Sequence, residues 1–299
     1  MPELPEVETT KTSLIPLLGQ SVSDITVFQP KLRWSMPEDL SELVGYTLES
    51  VERRAKYLIL TFLPQIKDQQ ARQLIIHLGM SGSLQQHPYG TDKRKHDHLI
   101  IVFDDANNPE TLTSTSATAT QLHYHDPRRF GAVLWFEDYR HKLLDHLGPE
   151  PLSTEFTADY LYHLIQRTEN NDHNKKRPIA RPIKSVIMEQ QVVVGVGNIY
   201  ATESLYLAGI HPATPAYQLS HDQIALLVDH IKIILQKSIQ LGGSTLRDFT
   251  VASGQTGYFQ QTLHVYGKQG QPCPNCQTLL SNIKITGRAS IFCPHCQVQ

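Results

Sequence analysis

The chain has 299 residues, 40% of them apolar and 19% charged, with a net charge of −2. That length accommodates two domains, or two and a small module, and the apolar share describes a globular protein with a core. No apolar run approaches the roughly 20 residues needed to cross a bilayer, and the start lacks the pattern of a secretory leader, so a cytoplasmic protein is expected.

Pro2 follows the initiator Met, and removal of Met1 would leave a secondary amine at the chain end. An α-amino group titrates near pH 8, so part of it is neutral in a cell, and a neutral amine can attack an electrophilic carbon to form an iminium. Glu3 and Glu6 place two carboxyls within one helical turn of that amine, where one could move protons. The same six residues also read as an ordinary Pro-rich helix start, with acids where the helix dipole favours them.

Residues 7–18 have the spacing of a short helix ended by Gly19. Runs at 23–28, 57–62, 73–77, 98–103 and 132–136 are short, β-branched or aromatic and bounded by turn residues, which predicts an antiparallel sandwich or barrel. Residues 105–121, rich in Asn, Thr, Ser and Ala, read as a long hairpin loop. Three turns carry polar chemistry. Arg53-Arg54-Ala55-Lys56 precedes a strand and gathers cations at one sheet edge, and the Gly-punctuated run 77–82 would hold Met80 out of the core. Run 126–131 presents Arg128 and Arg129 beside Phe130, and Arg next to an exposed apolar wedge can grip phosphates and pry into a base stack. Each turn taken alone also fits a solvated surface turn with its Met or Phe facing the core. Lys93, Arg94, Lys95 and His96 form a basic loop tip.

Prolines 149 and 151 stiffen residues 147–152 into an interdomain linker. Beyond it, helices are expected at 156–167, at 183–191 (carrying Lys184), at 202–208 and at 220–241, with 169–182 a polar, basic-leaning loop. Gly195-Val196-Gly197-Asn198 permits close backbone approach ahead of the third helix, whose N-terminus offers N–H groups to an anion; Asn198 could add a side-chain donor. A lone GxG without the P-loop lysine is a weak signal. Ser220 and Gln223 form a capping box, Ile224, Leu227, Val228, Ile231, Ile234 and Leu235 make one core face, and Gly242-Gly243 stops the helix.

The total charge does not advertise a nucleic-acid binder, yet Asp248 is the last acid, and residues 249–299 carry only Lys268, Lys284 and Arg288 besides histidines. Such a tail is a local cationic surface on which a polyanion can land. It also holds all four cysteines, as Cys273-Pro274-Asn275-Cys276 and Cys293-Pro294-His295-Cys296, with sixteen residues between the pairs. Two such pairs close on one tetrahedral Zn²⁺, and four thiolates leave no open position, so the metal is expected to be structural. Disulfides are the alternative, against which a cytoplasmic setting argues. The metal would stabilise a small hairpin whose loop, residues 278–291, presents Lys284 and Arg288.

Taken in order, residues 1–8, 53–57, 77–82, 126–131, 195–203, 265–267 and the four-cysteine tail closely resemble the formamidopyrimidine-DNA glycosylase family of bacterial base-excision repair enzymes, from one end of the chain to the other. The resemblance implies an α+β multidomain protein. Its parts would be an N-terminal antiparallel β-sandwich flanked by helices (1–147), a linker (148–153), a helix-two-turns-helix DNA-binding domain (154–262) and a four-cysteine zinc finger (263–299). It implies a monomer that clamps double-stranded DNA, removes oxidised purines (8-oxoguanine and formamidopyrimidines) and nicks the strand by β,δ-elimination. In that frame Pro2 attacks C1′ of the damaged nucleotide, Glu3 donates the proton for sugar ring opening, and Glu6 orients the amine or a water. Lys56 binds phosphate beside the lesion and assists β-elimination, and Arg288 serves δ-elimination. Met80, Arg128 and Phe130 fill the hole left by the flipped base, Arg128 reading the opposite cytosine, while His96, Arg129, Lys184 and Asn198 hold phosphates. Extrusion is demanded because C1′ cannot be reached in an intact stack. Leu4, Val7-Glu8 and the Arg128–Phe130 wedge favour this branch over the sister branch that removes oxidised pyrimidines, and a non-catalytic damage binder would need neither Pro2 nor Glu3. Glu189 stands where the family more often has Asp, and residues 105–121 and part of 169–182 look like insertions.

Overall fold

The computed structural model describes residues 2–66, 69–105, 118–168, 177–243 and 262–298. They divide into two compact units, the first holding residues up to Asp145 together with Gly242 and Gly243, the second the remainder.

The first unit opens with helix α1 (Leu4–Ser13), capped by Glu3 in extended conformation, with Pro5 in the first turn where its missing N–H is not needed. The helix starts three residues before the predicted point because carboxylates cap it: the Glu3 N–H donates to Glu6 Oε2 at 2.8 Å. It ends at Ser13, followed by a 3₁₀ turn at Ile15–Leu17 and Gly19 at φ +80°.

Eight strands follow: β1 (Gln20–Val27), β2 (Tyr46–Arg54), β3 (Tyr57–Pro64), β4 (Arg72–His77), β5 (Ser83–Pro88), β6 (Asp97–Asp105), β7 (Thr120–His125) and β8 (Ala132–Trp135). They form one antiparallel sheet in the order β5-β7-β6-β1-β2-β3-β4-β8. Strands β1 and β2 share a single residue pair, Ser21 opposite Thr47, so the sheet turns there into two leaves over one core. Strand alternation sorts the side chains. Leu58, Leu60, Phe62, Leu74 and Ile76 of one leaf meet Leu99, Ile101, Phe103, Leu122 and Tyr124 of the other. Ile59, Ile75, Ala132 and Leu134 point the opposite way and are covered by helix α2 (Phe136–Leu144) through Tyr139, Leu143 and Leu144.

The five predicted strands correspond to β1, β3, β4, β6 and β8, and the sandwich is present. Strands β2, β5 and β7 and helix α2 were not predicted. Strand β2 carries Glu and Arg on its outer face, β5 and β7 are spaced by Gln and His, and α2 buries no residue, so none shows a clean apolar period. Most of the predicted 105–121 loop lies outside the described residues, and its ends belong to β6 and β7.

In the second unit, α3 (Ala158–Gln166) is capped by Thr157, whose hydroxyl accepts from the Tyr160 N–H. Helix α4 (Ile183–Ile187) is shorter than predicted: Met188 caps it and the chain turns, the Val192 and Val193 N–H groups donating to the Glu189 carbonyl, which leads into the buried run Val192-Val193-Val194. Helix α5 (Asn198–Leu207) begins at Asn198 with Gly197 as its cap, earlier than predicted. Helix α6 (His221–Gln240) has the Ser220–Gln223 capping box and buries the predicted stripe. The small hairpin expected in the tail is present, but its loop is much shorter than 278–291: most of that run is β9 (Ser281–Ile285) and β10 (Arg288–Phe292), with Ile285 opposite Arg288. Thr286 and Gly287 both have positive φ, +47° and +77°, the conformation a two-residue hairpin turn requires. Lys284 and Arg288 therefore stand on strands, both exposed.

Candidate nucleic-acid interface and metal centre

Pro2, Glu3 and Glu6 are all buried at the head of α1. Gly243, at φ +80°, lies so close that a Cβ there would stand 3.3 Å from Glu6 Oε1. The helix is fastened to the β2–β3 hairpin by Arg53, which donates to Glu8 Oε2 at 2.5 Å and to the Ala55 carbonyl at 3.0 Å. Burial pushes the Glu8 carboxyl up, but hydrogen bonds from Lys11 and Arg53 outweigh it and hold it below the usual carboxylate value. Ala55, at φ +54°, makes the two-residue turn that carries Lys56, itself buried. One clamp thus holds the helix that follows Pro2 and the turn that carries Lys56.

His77, at the end of β4, pairs with Tyr57 across the ladder, their rings 5.0 Å apart. Burial, then the charges of Lys56 and Arg33, push His77 down to about 4. Its Nδ1 accepts from the Gly79 N–H at 3.1 Å, a bond only the neutral ring makes. Unfolded, this histidine titrates near 6.5. The unfolded chain therefore binds a proton that the folded chain refuses, and stability is expected to fall as pH drops from about 6.5 to about 4, by on the order of 3 kcal/mol at the acid end. Urea midpoints from pH 7 to pH 4 check this, and His77→Asn is expected to flatten the fall.

The turns at 77–82 and 126–131 are fused into one structure. Buried Asp126 accepts from Ser81 Oγ at 2.8 Å and from the Gly131 N–H at 2.9 Å, and the Arg128 N–H donates to Ser81 Oγ at 3.2 Å. A Cβ on Gly79 would overlap the Phe130 backbone, and one on Gly131 the Tyr124 hydroxyl and the His77 carbonyl, so both positions exclude any side chain. This frame turns Met80 and Phe130 outward, 38% and 44% exposed, with the Arg128 guanidinium 5.1 Å from the Phe130 ring centroid. Arg129 takes the left-handed conformation at φ +56° and is exposed. Two large apolar side chains are thus held in solvent beside cations and do not face the core.

On β6, buried Asp97 accepts from His123 Nδ1 at 2.9 Å, His125 Nδ1 at 2.7 Å and Arg94 Nη2 at 3.0 Å. Burial raises its carboxyl, but these bonds hold it far below the usual carboxylate range. His96 is half-buried, its ring 5.9 Å from that of His125, and desolvation followed by the His125 charge lowers its titration.

In the second unit, half-buried Asn198 opens α5, and buried Lys184 donates to its side chain at 2.7 Å. Glu189 is paired with Arg181. Fully buried Glu203 accepts from the backbone N–H groups of His264, Val265 and Tyr266, tying α5 to the chain that leads into the tail. The four cysteine sulfurs all lie within 4.8 Å of one another and are unbonded, a cluster that could hold a metal ion. Sequence reasoning named Arg53 only as an edge cation, Asp126 only as part of a turn, Gly243 only as a helix stop and Glu203 only as the end of a matching run, and it gave Asp97 no place. Only Asp126, placed ahead of a Pro and a Gly as a turn cap would be, carried a readable signal.

Residues 1–133 match the model of the formamidopyrimidine-DNA glycosylase N-terminal domain, and residues 147–250 that of the H2TH domain of the same glycosylases. A formamidopyrimidine-DNA glycosylase of Psychrobacter arcticus is 67% identical, the match covering 99% of this chain and 98% of that one. One from Acinetobacter baylyi is 52% identical, again over 99% and 98%. Among solved structures, a variant of the Lactococcus lactis Fpg protein in complex with DNA containing Fapy-dG superposes with a TM-score of 0.83 at 35% identity, covering all of both chains. The Lactococcus lactis protein with abasic-site DNA gives 0.81 at 35% identity, covering 99% and 100%. No described helix is long and apolar enough to cross a membrane.

Proposed function

The chain belongs to the formamidopyrimidine-DNA glycosylase family of DNA-repair enzymes, and on that premise we propose that it excises oxidised purines from double-stranded DNA through its N-terminal proline and then nicks the strand. The observation that carries this reading is the burial of Pro2 together with Glu3 and Glu6 at the head of α1. The Pro2 nitrogen forms a bond to C1′ as the bond from C1′ to the base breaks, the base leaving with the electron pair and taking up a proton. Glu3 protonates the ring oxygen as the sugar opens to an iminium, and Glu6 orients the amine or a water. Loss of the C2′ proton expels the 3′ phosphate, assisted by Lys56. A second elimination, served by Arg288, expels the 5′ phosphate, and water releases the sugar remnant from Pro2.

The wedge of Met80, Arg128 and Phe130 fills the space of the extruded base, offsetting part of the few kcal/mol that unstacking costs. His96, Arg129 and Asn198 take phosphates. The cysteine cluster fits zinc: sulfurs 3.9 Å (Cys273–Cys296) and 3.4 Å (Cys276–Cys293) apart match the edges of a thiolate tetrahedron with Zn–S near ~2.3 Å. The ion supplies a crosslink there and no chemistry. The enzyme works as a cytoplasmic monomer, divided at 148–153 and near 262 as the resemblance implies. A second substrate range, oxidised pyrimidines, has one observation in its favour, since the Lactococcus lactis protein was solved with DNA containing one. End-labelled duplexes holding one 8-oxoguanine opposite cytosine test the proposal. A nick with phosphate at both ends is expected, and intact strands after alkali would refute it.

A further inference from the structure

Of the described Lys and Arg residues only Lys56 and Lys184 are buried, and Lys184 is 1% exposed. An ammonium has three donors and no acceptor. That of Lys184 donates to Asn198 Oδ1 at 2.7 Å, to Ser290 Oγ at 2.7 Å and to the Ala289 carbonyl at 2.9 Å. A buried cation persists only when paired or fully hydrogen-bonded, and these three bonds meet that condition while leaving no donor for a phosphate. The resemblance places a phosphate on Lys184; its surroundings do not.

We infer that Lys184 is a positioning residue that never touches DNA and instead orients the amide of Asn198. Because an ammonium only donates, the amide atom facing it is the oxygen, which turns the NH₂ of Asn198 away from Lys184; Asn198 is itself the first residue of α5, where backbone N–H groups favour an anion. The remaining two acceptors belong to β10, immediately after Arg288. Ser290 Oγ in turn donates to the Arg288 carbonyl at 3.4 Å. One nitrogen thus registers the strand that carries Arg288 against the helix that starts at Asn198. This rests on the reading that Asn198 takes a phosphate of the duplex.

Amine-reactive footprinting of the zinc-loaded full chain, free and bound to a duplex with a stable abasic-site analogue, tests it directly. Lys184 is expected to stay unmodified in both states, whereas a phosphate-contacting lysine reacts in the free protein and is shielded by DNA. In binding measurements, Lys184→Met and Asn198→Ala are each expected to raise Kd roughly tenfold. The double variant is expected to bind no more weakly than Lys184→Met alone, with the salt dependence of the parent. Reactivity of Lys184 that DNA suppresses, a salt slope lower by about one, or additive losses would overturn the inference. Should Lys184→Met lose zinc or melt early, the footprint on the parent protein decides alone. A parent protein that binds no duplex would sink the underlying reading of Asn198 instead.

Discussion

Replacing Pro2 by glycine is expected to lower base excision at least a hundredfold while duplex binding stays close to that of the parent. A glycine still ends in an amine, so the loss comes from placement. The proline ring fixes the nitrogen's direction and fills a buried position beside Glu3 and Glu6, whereas glycine leaves that position half empty and the amine free to turn. A nucleophile misplaced by about 1 Å forfeits on the order of a hundredfold in rate. Binding is expected to survive because Met80, Arg128 and Phe130 stand on a frame built by Asp126, Gly79 and Gly131 within their own two turns. Single-turnover excision and equilibrium binding on the same 8-oxoguanine duplex measure both quantities. Unchanged excision would remove Pro2 from the reaction.

Stripping the metal is expected to weaken duplex binding by two orders of magnitude or more, with recovery on adding zinc back. The cysteine pairs flank the β9–β10 hairpin, one ahead of it and one behind, and two five-residue strands are marginal alone. Their apolar support is small: among the described residues, Val265, Leu280, Ile291, Tyr206 and part of Leu207 besides the cysteines. A structural zinc site contributes roughly 10 kcal/mol or more, comparable to everything that small core supplies, so its loss is expected to unfold the hairpin. Arg288 would lose its strand, and Ala289 and Ser290 would withdraw from Lys184. The β-sandwich has its own core and should keep its circular dichroism signal. Metal-free protein with parental affinity would show that the tail is not part of the binding surface.

What was legible in the sequence follows from how each feature is encoded. The cysteine cluster and helix α6 are local: CxxC spacing and a 3.6-residue apolar stripe announce themselves, and the structure has both the clustered cysteines and the helix. The strands that escaped notice are those whose partners are distant. Strand β7 alternates with histidines because His123 and His125 satisfy Asp97 on β6, a pairing no local window contains. The two exposed turns read equally as ordinary surface until Gly79 and Gly131 are seen packed against each other's turn. The burial of Lys184 was illegible for a related reason. A lysine near a helix start is usually a surface cation, and its burial is set by Ser290 and Ala289, more than a hundred residues on.

Borohydride trapping on a duplex with a single 8-oxoguanine opposite cytosine, run beside a thymine-glycol duplex, tests the central claim most directly. The reductant fixes an iminium as a stable amine, so a covalent adduct records the attacking nitrogen. A peptide map that places the adduct on Pro2, with more adduct on the purine lesion, is the predicted result. An adduct formed mainly on thymine glycol would contradict the assigned substrate, and tight binding with no adduct on either duplex would contradict the covalent mechanism itself.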